Sequence, residues 1–217
     1  MKGLLIKDFR LLKTQKNFFF LIVAIAIGMA ISAKDCSFII GYLTFISFSF
    51  TLSTISYDEF DNGNVFLFSL PVSRKGYVAE KYGFGLMIGL SFWILATILV
   101  LIAGLIRNTA LITDILTSSL IVFPIMLIFL ALMIPFHLKF GGEKGRIAII
   151  GVVGLLLVFG ILVVKIIKTF HIDLTPIFNT LPVISVGVLI VIEIAIAIVL
   201  LLFSYKISIM IMRKKEF

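Results

Sequence analysis

The chain has 217 residues, 61% of them hydrophobic and 14% charged, with a mean hydropathy of +1.25. A soluble domain averages roughly 45–50% apolar and about 25% charged residues, so a soluble globular fold, a disordered chain and a coiled coil are all excluded. An integral membrane protein remains; its net charge of +8 fits cytoplasmic loops rich in Lys and Arg rather than nucleic-acid binding, and the lone Cys36 allows no internal disulfide.

Residues 1–17 predict an interfacial amphipathic helix. At 100° per residue, Lys2, Lys7, Arg10 and Lys13 share one side, and Leu4, Leu5, Phe9, Leu11 and Leu12 the other. Ile6 and Asp8 are misfits to that pattern. Such a helix lies in the headgroup plane, and Lys7, Arg10 and Lys13 are its membrane-surface residues. A cleaved leader is disfavoured, because the polar lead is long and contains Asp8.

Six apolar runs follow, predicting spans at about 18–33, 38–56, 82–106, 115–138, 147–167 and 183–205. Of the 19 Lys and Arg residues, 15 fall on the side of the two termini and 4 on the other. That asymmetry predicts cytoplasmic termini and an even number of spans. The expected fold is thus all-α: an interfacial helix plus six transmembrane helices, in a single transmembrane domain over 1–217.

Hydroxyls are concentrated in the second span. Thr44, Ser47, Thr51 and Thr54 share one stripe, a candidate pathway or helix interface, although hydroxyls can equally bond back to their own helix. Gly85 and Gly89 in the third span form G-x-x-x-G, which predicts close approach of another helix. Glu193 is the one acidic residue deep in a span. It reads either as a pathway or proton-carrying group or as a protonated carboxyl bonded to a neighbouring helix.

Enzyme chemistry finds no support. His137 and His171 fall on opposite sides of the membrane and cannot share a metal, so no metal site and no catalytic residue is expected. The run Gly141-Gly142-Glu143-Lys144-Gly145 lacks phosphate-loop spacing and reads as a tight turn. Any ATP and Mg would be bound by another chain, and no cofactor is expected in this one.

The longest polar segment, 57–81, is far longer than a turn between spans requires. It carries the acids Asp58, Glu59 and Asp61, then the apolar run Val65 to Phe68, then Pro71 and Arg74. Phe60, Phe66 and Phe68 must bury against headgroups or a protein. Pro71 fixes the turn into the third span.

This segment resembles the first cytoplasmic loop of type-2 ABC exporter permeases. The resemblance rests on Leu70-Pro71-Val72-Ser73-Arg74, Tyr77-Val78 and Lys81-Tyr82, and on Leu5-Ile6-Lys7-Asp8 at the start. Within that family, the chain resembles the small permeases of exporters for phenol-soluble modulins and antimicrobial peptides. The resemblance implies a multi-pass protein of the bacterial cytoplasmic membrane. It implies a homodimer or related heterodimer of permeases, each docking a separate ABC ATPase subunit through a coupling element at Asp58 to Phe68. The implied cargo is an amphipathic peptide or a lipid-like molecule. A proton- or ion-coupled secondary transporter or channel using Glu193 is the alternative reading of the same spans.

Overall fold

The computed structural model describes residues 2–32, 37–60, 63–107, 111–142 and 185–215, together with Ile161 and Lys165. Seven helices lie among the described residues: α1 (Lys2–Thr14), α2 (Lys16–Ser32), α3 (Ser37–Glu59), α4 (Gly63–Ser69), α5 (Arg74–Arg107), α6 (Ile112–Phe140) and α7 (Val186–Lys214). Four of them, α3, α5, α6 and α7, are long and apolar enough to cross a membrane, and α2 adds a fifth crossing if it is counted with α1. The span expected at 147–167 lies outside the described residues, apart from Ile161 and Lys165.

The N-terminal segment expected to lie at the interface is helical over Lys2–Thr14. α1 meets α2 at a bend of 65°, and Gln15 is the joint, its N–H donating to the Leu12 carbonyl and its own carbonyl accepting from Phe18. α1 buries Leu4, Asp8 and Leu12, an i, i+4, i+8 row, against α3 and α5. α2 buries Ile22, Ala26 and Ala30 with the same spacing and leaves Phe20 and Ile31 exposed. In a membrane those exposed faces meet lipid, where they cost nothing.

Three boundaries differ from the sequence expectation, each for a local reason. α5 starts at Arg74 rather than at 82, because the Ser73 hydroxyl caps it by accepting from the Gly76 N–H at 3.0 Å. At 1.5 Å per residue, its 34 residues span about 50 Å, well beyond a hydrocarbon core of about 30 Å. α7 continues through Lys214, so Lys206, Arg213 and Lys214 belong to a helix rather than a tail. The expected loop 57–81 is mostly helical, with α3 running to Glu59 and α4 occupying Gly63–Ser69.

The core runs through α3, α5 and α6. Towards one end, Phe19 stacks on Phe50 with ring centroids 4.0 Å apart, and Phe92 lies against both. Towards the other, Phe48, Ile55, Tyr77, Tyr82, Met126, Leu130 and Ile134 pack together. Gly85 and Gly89 let α5 approach α6. A Cβ at Gly85 would sit 2.6 Å from Leu130 Cδ1, and one at Gly89 would sit 2.9 Å from Met126 Sδ. The helix contact expected from G-x-x-x-G is therefore within this protomer.

A polar knot binds α7 to this core. Pro135 in α6 has no N–H, so the Ala131 carbonyl one turn back lacks its helical donor. The Ser204 hydroxyl of α7 supplies one. Tyr82 Oη lies 2.5 Å from Ser204 Oγ and 2.9 Å from Ser208 Oγ. Residues of three helices thus satisfy one another at a buried junction.

Candidate coupling interface and its ion network

The N-terminal part of α5 places Tyr77, Glu80 and Lys81 on its buried side. Lys81 is fully buried, with Nζ 2.5 Å from Asp8 Oδ2, 2.8 Å from Asp58 Oδ2 and 3.1 Å from Thr54 Oγ1. Lys7 Nζ closes the other side, bonding Asp58 Oδ1 and lying 3.2 Å from Asp8 Oδ1. The Tyr77 hydroxyl donates to Asp58 Oδ2 at 3.1 Å. Two ammonium groups and two carboxylates from α1, α3 and α5 therefore form one alternating cluster, with the Glu80 carboxyl 3.6 Å from Lys81 Nζ at its edge. Burial works to raise the Asp8 pKa, but the Lys81 ammonium, which also hydrogen-bonds the carboxylate, and the Lys7 ammonium together hold that pKa below the ordinary value of 3.8.

This corrects one expectation. Asp58 is not a surface acid facing a partner; it is 7% exposed and its carboxylate points into the cluster. The Lys7 ammonium is engaged by Asp58 and Asp8, with its side chain 32% exposed. Arg10 and Lys13 remain exposed on α1 and keep the membrane-surface role open to them.

Around the cluster, the cytoplasmic ends expected from the charge pattern are tied together. Glu59 Oε1 pairs with Lys215 Nζ at 2.7 Å, and its Oε2 accepts from the Gly142 N–H at 2.9 Å. Lys215 Nζ also donates to the Leu138 carbonyl in the last turn of α6. Arg74 Nη1 donates to the carbonyls of Met212 and Arg213 at 3.0 and 2.7 Å, satisfying orphan acceptors at the end of α7. Gly141, at φ +81°, makes the turn that presents Gly142 to Glu59, a turn that L side chains rarely adopt. Glu59 and Arg74, both expected to meet a partner, thus act inside the protomer.

The remaining expected residues divide cleanly. Phe60 and Phe66 are each 71% exposed and Val65 is 50% exposed. They form an apolar prominence where α3 gives way to α4. Phe68 turns inward, its ring edge-on to Tyr77 at 5.5 Å, and Asn64 is buried beneath α4. Pro71 is exposed in the short link to α5. Asp61 lies outside the described residues. The prominence therefore stands on Tyr77, and Tyr77 stands on Asp58 of the ion cluster.

The four hydroxyls of the second-span stripe are internal. Thr44, Ser47, Thr51 and Thr54 are each at most 2% exposed. Ser47 donates to the Thr44 carbonyl and Thr54 to the Thr51 carbonyl, and Thr51 packs near Gly85 of α5. Glu193 is half-buried on α7, on the flank that also carries Ile190 and Ala197, both buried. Sequence reasoning missed Lys81, Asp8 and Tyr77 as a unit. The available signal was Asp8, a charge on the apolar side of an amphipathic helix, which calls for a buried partner.

Among the described residues, no group of three or more His, Cys, Asp or Glu side chains could hold a metal. A protein-family comparison matches residues 3–213 to the family described as ABC-2 family transporter protein. No curated protein and no solved structure matches the chain.

Proposed function

The chain belongs to the ABC-2 transporter family, a family of membrane transport subunits, and from that premise we propose that it is the permease of an ATP-driven exporter that works with a separate ABC ATPase. In this reading six spans cross the bacterial cytoplasmic membrane with both termini inside. Two permease chains pair around a pathway for an amphipathic peptide or a lipid-like molecule. ATP and Mg are bound and consumed by the partner subunit, and this chain performs no covalent chemistry.

One observation carries the coupling part of the proposal: an exposed apolar prominence of Phe60, Val65 and Phe66 stands on a buried ion cluster. An apolar anchor within a polar rim is where interface energy concentrates. Force applied to α4 has a defined path inward. It passes from Phe68 to Tyr77, from Tyr77 to Asp58, and through Lys81 to Asp8 of α1. Closure of an ATPase dimer against α4 would then move α1, α3 and α5 together as one body, the kind of rigid motion by which packed elements switch state.

The test begins with a search of the neighbouring genes for a stand-alone ABC ATPase, followed by its co-expression with this chain, affinity purification and reconstitution. A stable complex whose ATP hydrolysis drives export from vesicles is expected. The absence of any complex, together with transport driven by a proton gradient alone, would overturn the reading in favour of a secondary transporter using Glu193.

A further inference from the structure

A cleft of about 700 Å³ opens between α6 and α7, within the range of small-molecule sites. Its walls are apolar: Leu132, Phe136, Phe203 and Ile207 flank a floor made of the small residues Ala131, Pro135 and Ser204. The one hydroxyl on that floor is already used, since Ser204 bonds the Ala131 carbonyl and Tyr82. The cleft's polarity is therefore confined to its mouth, where Lys139 of α6 and Lys214 of α7 stand. Both are exposed, and neither pairs with a carboxylate among the described residues. The Lys139 ammonium lies 5.0 Å from the Phe140 ring centroid, which leaves its three donors free for an anion. The mouth lies at the end of the bundle where Lys215 meets Leu138, the level of the ion cluster and of α1.

We propose that this cleft is a binding site for one anionic glycerophospholipid, with an acyl chain along the α6–α7 groove and the phosphate between Lys139 and Lys214. The chemistry of both parts selects this occupant. A purely apolar guest would fill the groove but leave the two exposed ammonium groups at its mouth without an anionic partner. The chain's own apolar stretch 147–167 contains no acidic residue, so it brings no charge to neutralise the pair. A zwitterionic lipid brings a phosphate together with a cation that the lysines repel. Basic pockets between helices at the membrane surface are suited to anionic headgroups for this reason.

The test exploits the single tryptophan of the chain. Trp93 is replaced by Phe, and Phe203→Trp then places the only indole in the cleft wall. The protein is reconstituted in phosphatidylcholine vesicles containing a small fraction of brominated phosphatidylglycerol or brominated phosphatidylcholine, and quenching is followed. The account expects brominated phosphatidylglycerol to quench at a fraction about fivefold lower or less, the effect of even one basic residue near an anionic group. Lys139→Gln with Lys214→Gln should bring the two curves together, whereas Lys2→Gln with Lys75→Gln, an equal loss of charge elsewhere, should leave them apart. Equal quenching by both lipids in the lysine-intact protein would overturn the proposal. So would collapse of the preference in the control pair, which would mark a general basic surface. Absence of quenching by either lipid would also overturn it, because the groove would then be filled by protein.

Discussion

Replacing Lys81 by Met removes the hub of the ion cluster while keeping most of the side chain's volume. In the native protein Lys81 Nζ faces Asp8 at 2.5 Å and Asp58 at 2.8 Å, with no solvent exposure. Without it, two buried carboxylates share only Lys7, whose side chain is 32% exposed. Breaking one partner out of a buried pair costs about 3–5 kcal/mol, because the charge left behind is uncompensated. Lys7 remains to offset part of this, so the lower end, about 3 kcal/mol, is expected. The loss should be reduced in the double variant Asp8→Asn with Lys81→Met, since one stranded charge is then gone. Thermal and denaturant unfolding of the purified protein in detergent measures these two variants and Asp8→Asn alone, and the double-mutant cycle they complete isolates the pair. Additivity of the two substitutions to within about 0.5 kcal/mol, or an unchanged Lys81→Met, would refute the inference that this cluster joins α1 to α3 and α5.

Because the Asp8 pKa is held below 3.8, its stabilising contribution is fully present above that value and is lost as pH falls through the lowered one. Protease protection of α1 should therefore persist down to about pH 5, and release of α1 well above that would contradict the assignment. Gly85→Leu should destabilise by about 1–3 kcal/mol through overpacking against Leu130, whereas Gly28→Leu, at a position with open space, should be near neutral; thermal unfolding distinguishes them. Arg74→Ala should fray the end of α7 by exposing the Met212 and Arg213 carbonyls, seen as faster amide exchange confined to the last turns of α7. Glu193→Gln should fold and assemble normally but change substrate-stimulated ATP hydrolysis in the reconstituted complex; unaltered hydrolysis and transport would make Glu193 a packing residue.

Much of the architecture was legible because hydropathy and charge act over whole segments. The amphipathic 1–17 stretch, four of the spans and the separation of α1 from α2 all follow from periodicity and run length. Helix ends were less legible because they depend on single groups. Ser73 starts α5 eight residues ahead of the apolar run through one hydroxyl, and the C-terminal lysines prolong α7 because Arg74 and Glu59 hold that end. The site was half legible. Phe60 and Phe66 were readable as exposed apolar residues stranded in a polar segment, whereas Phe68, read the same way, turns inward onto Tyr77. The inward turn of Asp58 was not, since adjacent acids in a sequence look alike. Which of them is buried depends on Lys7 and Lys81, 51 positions before and 23 after Asp58, and that pairing exists only once α1, α3 and α5 have packed.

The central claim is that α4 and the end of α3 dock an ATPase, and site-specific crosslinking tests it most directly. Single cysteines are placed at Phe60, at Phe66 and at Phe68 in a Cys36→Ser background, and the complex is purified with its ATPase and treated with a short thiol crosslinker. The account predicts adducts with the ATPase from the positions of Phe60 and Phe66, both 71% exposed, and none from that of Phe68, which packs on Tyr77. A complex that co-purifies intact yet gives no ATPase adduct from either exposed position would contradict it.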